Sequence, residues 1–325
     1  MKSSIINHQS SIPMANLDVF CETLLALARK DRNVLAVTSD SRGSGKLAPF
    51  AAALPGQIVE VGIAEQNLVG IAAGLASAGK IVYAVSPASF LTARALEQIK
   101  NDVCYSDRPV TLVGISAGVS YGALGSTHHS THDLAALRAI ENITIILPAD
   151  NVETAAAVRA AAALEHPVYL RFGKRPLPHL HPPETQFQVG RALTVRQGAD
   201  VAFIATGETV HPALAAACEL EKGGLSSRVI SMHTVKPLDV ATLMQAANEC
   251  RALITVEEHS LCGGLGEACA AVLLQAGMRL PFRIVGFPDE YMVTGSQAEI
   301  FEHYGISAHG LAQTAQTLLD TRGRR

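Results

Sequence analysis

The stretch GSTHHSTHD, residues 125–133, places His128, His129, His132 and Asp133 within six positions. Imidazoles and a carboxylate at this density could ligate a metal, act as bases or bind a substrate. His128 and His132 are spaced i, i+4, which on a helix would set two imidazoles over one ion. The lead-in Gly125, Ser126 and Thr127 reads instead as a loop, with Thr131 as the N-cap of a helix whose buried face starts at Leu134. A substrate loop is the better reading, and no metal ligand is assigned. Glu65 is a second candidate. It lies in VEVGIAEQN, after a buried strand and in a first helical turn, where a carboxylate complements the helix dipole. Ile63, Ala64, Leu68 and Val69 surround it in sequence, and an acid taken partly out of water is a functional candidate. In CGGLGEAC (262–269), Cys269 stands where a dinucleotide fingerprint needs its third glycine, so a glycine-rich strand-to-helix turn is expected. No Walker A or H-E-x-x-H sequence occurs.

The elements that must position these groups alternate between helical and strand patterns, which predicts an α/β fold with parallel sheets. A helix is expected over about 17–30, with buried strands at 33–39 and 57–62. The Ala-rich segment 64–79 reads as a helix, 81–86 as a strand, 89–106 as a helix and 109–116 as a strand. After the histidine loop come a helix near 132–139, strand 143–147, helix 151–164 and strand 167–172. GKRPLPHLHPPETQFQ (173–188) carries four prolines and reads as an extended linker. A second α/β unit follows, with strands at 199–207, 227–239 (including a turn), 252–260 and 282–287. Helices are expected over 210–222, 240–249 and 263–277. The fold class is therefore α/β in two domains, each a mostly parallel sheet flanked by helices. The expected division is an arm at 1–14, a first domain at 15–172, a linker at 173–189 and a second domain at 190–325.

Composition narrows the function classes. The chain has 325 residues, 48% hydrophobic and 17% charged, enough for two buried cores. A net charge of −3 gives no electrostatic footprint for nucleic acid or an anionic membrane. The basic end TRGRR is too short to change this and reads as a frayed tail. Six cysteines, at 21, 104, 218, 250, 262 and 269, form no C-x-x-C pair and read as small buried hydrophobes in a reducing compartment. The N-terminus lacks an apolar signal core, and no run of about 18 apolar residues is present. A soluble cytoplasmic protein is the expectation.

Taken together, the segments resemble the transketolase family of thiamine diphosphate enzymes, in its pyrimidine-binding and C-terminal domains. The resemblance rests on TSDSRGSG (38–45), VEVGIAEQN (59–67) and SFLTARALEQI (89–99). It continues through residues 117–154, which hold the histidine loop, PVYLRFGK (167–174), TVKPLD (234–239) and VEEHSLCGGLG (256–266). It covers about residues 15–320. It implies that Glu65 hydrogen-bonds N1′ of the cofactor's aminopyrimidine, favouring the imino tautomer whose 4′-nitrogen takes the thiazolium proton. Phe90 matches the aromatic that packs on the aminopyrimidine, and simple core packing is its alternative. Asp40 matches an aspartate near the cofactor, against a strand-end turn residue. His128 matches the family's loop histidine, and Arg171 a phosphate-binding arginine expected to grip an anion bidentately. His129 and Ser116 are expected beside the substrate, and Leu96 in the pyrimidine pocket.

The departures from the family pattern bear on specificity. Ala93 and Leu96 stand where further aromatics are common. Ser116 replaces a histidine. Ala123 and Leu124 replace two carboxylates expected near substrate hydroxyls, a loss that should change specificity strongly. The Gly-Asp-Gly…Asn metal motif of the family does not occur in this sequence. The expectation is a split enzyme: an N-terminal transketolase subunit would hold the diphosphate through Mg²⁺ or Ca²⁺, in an α2β2-like assembly with homodimer contacts. The chain would be the C-terminal subunit, transferring a two-carbon ketol unit between sugar phosphates, uncommon ones included. The alternatives are the β subunit of a 2-oxo acid dehydrogenase E1 component and a non-catalytic assembly subunit of the same fold. The histidine-rich loop favours transketolase over the first, and retention of Glu65 and Phe90 argues against the second.

Overall fold

The computed structural model describes residues 14–320; most of the expected N-terminal arm and the TRGRR tail lie outside them. Among the described residues, twelve strands form two sheets: β1 (Val34–Thr38), β2 (Ile58–Glu60), β3 (Ile81–Pro87), β4 (Val110–Ile115), β5 (Thr144–Ile146), β6 (Val168–Arg171), β7 (Leu193–Arg196), β8 (Val201–Ala205), β9 (Ser227–Ser231), β10 (Thr234–Lys236), β11 (Ala252–Ser260) and β12 (Phe282–Phe287). The first sheet has the order β10-β5-β6-β4-β3-β1-β2 and the second β12-β11-β8-β9-β7. All pairings are parallel except β10 with β5 and β7 with β9.

The central strands are covered on both faces, which is why they read as unbroken apolar runs. On β4, Leu112 packs in one cluster with Leu68, Ala72 and Leu91, while its neighbour Val113 packs with Phe20, Phe50 and Phe172 on the opposite face. This is the two-residue alternation of a strand. The second sheet does the same. Phe203 and Ile254 pack with Val210 and Leu311, whereas Ala202, Ile230 and Leu253 join the cluster that holds Leu68 and Leu134. The two units therefore share one apolar cluster.

Several elements differ from the expectation. The helix expected over 89–106 is interrupted at Ala95 (φ −104°, ψ 20°). It continues as the short turn Leu96–Gln98 and a wider π-type turn, Ile99–Tyr105. The N-cap before Asp133–Arg138 is His132, not Thr131. Helices Ala48–Ala53, Gln297–His303 and Ala308–Asp320 and strand β7 come in addition to the expected elements. The turn read within 227–239 sends Thr234–Lys236 away from β9 to the edge of the first sheet, where Thr234 pairs with Ile146 and Lys236 with Ile145. Residues 173–189 form neither helix nor strand. They are tied down at Leu180 and His181, whose amides donate to the Asp150 carboxylate at 2.8 and 2.9 Å. No helix among the described residues is long and apolar enough to cross a membrane.

Candidate active site

The chemistry-bearing residues gather where β2, β3, β4 and β6 end, the carboxyl edge at which open parallel sheets bind ligands. β2 ends at Glu60, and Gly62 turns the chain with φ 73°. Helix Glu65–Ser77 follows, opened by Glu65 itself. The Glu65 side chain is only 2% exposed, and its Oε2 accepts a hydrogen bond from Arg94 Nη1 at 2.6 Å. Arg94 is half exposed and sits in the last turn of helix Ala88–Arg94, which begins directly after β3. Phe90, one turn earlier, lies with its ring centroid 5.4 Å from the Arg94 guanidinium carbon.

From Phe90 a row of rings crosses the edge. The His128 ring stands edge-on to Phe90 at 5.4 Å and to Tyr121 at 5.3 Å, so two aromatic rings pin the imidazole. Lys174 closes the row, its Nζ lying 4.5 Å over the Tyr121 ring, a cation–π contact. His128 Nδ1 is 3.0 Å from Thr127 Oγ1, which leaves Nε2 for a ligand.

His129 points the other way. It is 3% exposed, and its Nε2 is 2.9 Å from the carbonyl oxygen of Gly122. A carbonyl only accepts, so Nε2 carries the proton. Burial pushes its pKa below the ordinary histidine value. His129 therefore ties the turn Gly122–Leu124 to the loop, and Ser130 N fastens the loop to Gly118 O at 2.7 Å. Ser116 is buried at the end of β4 with φ 52°, and its hydroxyl has no hydrogen-bond partner among the described residues. The hydroxyls of Ser89 and Ser120 are in the same state.

The structure places Arg171 differently from the expectation. Its side chain is 6% exposed and is engaged through Nε and Nη2, with Nη1 4.0 Å from Glu258 Oε2. Nε donates to Asp133 Oδ2 at 2.7 Å, and Nη2 donates to the carbonyls of Ser130 and Glu258 at 3.0 and 2.9 Å. Burial alone would lower the Arg171 pKa, but Asp133 and Glu258 outweigh it and raise it. A guanidinium spent on internal acceptors has no fork left for a bidentate anion. The exposed cations at this strand end are Lys174 and its neighbour Arg175, and of the two Lys174 is the one set over the Tyr121 ring. Asp40 is exposed with φ 51°, and its amide donates to Glu60 Oε1 at 2.6 Å. Leu96 packs partly buried against the cluster of Leu68 and Leu91. Neither makes a described contact to the ring row. Asp133 and Tyr169 join the Arg171 network, with Tyr169 Oη donating to Asp133 Oδ2 at 2.7 Å. His132 caps a helix.

The site suits an aminopyrimidine. A carboxylate held away from water and a half-buried aromatic face are bridged by one arginine, and the unpaired hydroxyl of Ser89 is next to Phe90 in the chain. Glu65 and Phe90 would hold that ring. Among the described residues no group of three or more His, Cys, Asp or Glu is placed to hold a metal ion. No motif in the sequence singles out Arg94, Tyr121 or Lys174. Their roles arise from contacts across 29, 7 and 53 positions (94−65, 128−121 and 174−121).

Known proteins resemble the chain along most of its length. A family model described as transketolase, pyrimidine binding domain, matches residues 13–179, and one described as transketolase, C-terminal domain, matches residues 190–311. An apulose-4-phosphate transketolase subunit of Phocaeicola vulgatus is 46% identical over 297 residues, 91% of this chain and 95% of that protein. A 6-deoxy-6-sulfo-D-fructose transketolase subunit of Clostridium sp. is 33% identical over 308 residues, 95% of each. A solved structure described as a split gene transketolase, inactive beta4 tetramer, superposes with TM-score 0.86 at 35% identity, covering 95% of this chain and 99% of that one.

Proposed function

We propose, from the premise that this chain belongs to the transketolase family, that it is the C-terminal subunit of a split, thiamine diphosphate-dependent transketolase. The observation that carries this is the buried Glu65 carboxylate bridged by Arg94 to the half-buried ring of Phe90, which stands edge-on to His128. Its relatives are named as transketolase subunits, which supports the same reading. When bound, thiamine diphosphate supplies the carbanion chemistry that moves a two-carbon ketol unit between carbonyl compounds.

This chain's residues do the rest. Glu65 holds N1′ through its carboxylate, in a pocket where a hydrogen bond is strengthened by the low local dielectric. Phe90 packs on the aminopyrimidine face. His128, fixed between Phe90 and Tyr121, presents Nε2 to the substrate oxygen on which charge develops. Lys174 supplies the positive charge for a substrate anion. Ala123 and Leu124, both exposed, leave this turn without carboxylates, which favours a phosphorylated ketose with few hydroxyls to satisfy there. The metal and diphosphate belong to the N-terminal partner subunit, in an α2β2-like assembly.

Reconstitution tests the reading. The isolated chain with thiamine diphosphate and Mg²⁺ should transfer no ketol unit. With its partner it should act on phosphorylated ketoses, apulose 4-phosphate among them, and it should not decarboxylate pyruvate. Glu65→Gln in the complex should reduce turnover by about 10²–10⁴-fold, the range of a proton-handling group. Vigorous ketol transfer by the single chain, or near-normal turnover of the variant, would refute the proposal.

A further inference from the structure

One arginine covers both groups that the proposed function assigns to the aminopyrimidine. Arg94 Nη1 is 2.6 Å from Glu65 Oε2, and the Arg94 guanidinium carbon is 5.4 Å over the Phe90 ring. We propose that Arg94 holds the place of the aminopyrimidine in the cofactor-free subunit and swings out of the site when the cofactor enters.

The chemistry requires a placeholder. A carboxylate that is 2% exposed cannot be left without a partner before the cofactor arrives. Arg94 supplies a charge-assisted hydrogen bond there and sets its guanidinium over an aromatic ring, the place a heteroaromatic ligand would take. It cannot take over the cofactor's role, because a guanidinium does not give up its proton and so cannot share one with Glu65. While it stays, Glu65 Oε2 is occupied and the Phe90 face is covered.

The position of Arg94 suits departure. It is half exposed and ends its helix, because the next residue, Ala95, breaks the helical path. The side chain can therefore leave for water without unpacking a core. The adjacent Ala93 is exposed and small, so nothing bulky lies next to it along the chain. Cofactor binding is then taxed by the fraction of subunits in which Arg94 is swung out.

The inference rests on the thiamine diphosphate reading, and one experiment separates the two. Binding of radiolabelled thiamine diphosphate with Mg²⁺ is measured by rapid filtration on the complex reconstituted with the partner subunit. Wild type, Arg94→Met and Arg94→Lys are compared. Removing the placeholder should lower the apparent Kd on the order of tenfold and speed association. Arg94→Lys, which keeps the charge but loses the fork, should fall between. In the chain alone, Arg94→Met should lower the thermal midpoint, and that deficit should disappear in the cofactor-loaded complex. If the wild-type complex binds no thiamine diphosphate, the proposed function fails and this inference with it. If wild type binds and Arg94→Met binds equally or more weakly, Arg94 is a permanent support of Glu65 and the placeholder idea is wrong. Should Arg94→Met not fold, Arg94→Lys decides by the same sign.

Discussion

At the scale of single residues, the edge of the first sheet separates exposed groups from groups spent inside. Lys174 and Arg171 lie three positions apart, yet one is exposed over Tyr121 and the other is locked to Asp133. Lys174→Ala in the reconstituted enzyme should therefore raise KM for phosphorylated substrates by about 10- to 100-fold, the worth of one charged hydrogen bond, with kcat little changed. Steady-state kinetics across phosphorylated and unphosphorylated ketoses checks it: an equal rise for both would remove Lys174 from the anion site. Glu65, Phe90 and His128 could be singled out in the sequence because each stands in a motif tied to a strand end. Arg171 could not be placed, because its acceptors Ser130, Asp133 and Glu258 lie 41, 38 and 87 residues away. A strand sequence does not show whether a head group already has partners.

At the scale of elements, periodicity revealed the buried strands and most long helices, and failed where backbone geometry intervened. Nothing in SFLTARALEQI announces the break at Ala95, since alanine is the best helix former. The helix Gln297–His303 did carry a readable signal, the Ser296 and Glu299 capping box, in which Glu299 Oε2 also accepts from the Ser296 amide at 2.7 Å. The histidine loop's approach to the second unit is set by glycine. Gly118 has φ +59°, and a Cβ there would lie 2.1 Å from the Glu258 carboxyl carbon. Gly118→Ala should destabilise the chain by about 1–3 kcal/mol through overpacking, and more through the strained backbone. Urea unfolding measures it; an unchanged midpoint would show that Glu258 moves aside freely.

At the scale of the whole molecule, the alternation of helices and strands made two α/β units legible, but not how they are joined. Glu153 is one of the joints. It is 1% exposed, accepts from Ala149 N and Ser231 Oγ at 2.7 Å each, and faces His181 Nε2 at 3.6 Å. Burial pushes its pKa up to about 7, against the opposing pull of His181. A folded-state value above the ordinary 4.5 means that its contribution to stability is complete below about pH 4.5 and is lost as pH rises through about 7. Burial pushes His259 and His233 down to about 4, so they act oppositely, losing stability as pH falls from about 6.5 through 4. The difference between wild type and Glu153→Gln isolates the glutamate. It should shift by of the order of 3 kcal/mol in favour of the variant from about pH 5 to pH 8, read by urea unfolding. A constant difference would mean that Glu153 stays ionised throughout. The second joint is the three-residue strand β10, too short to read as a strand of another sheet, which caps β5 from the far unit. On the ribosome, Thr234 emerges 88 residues after Ile146 (234−146). Until then the nascent chain carries an uncapped sheet edge, the kind of surface that recruits stray strands. The late-made segment thus acts as a guard against mispairing between neighbouring chains on a polysome, and translation speed across residues 147–236 becomes a determinant of yield.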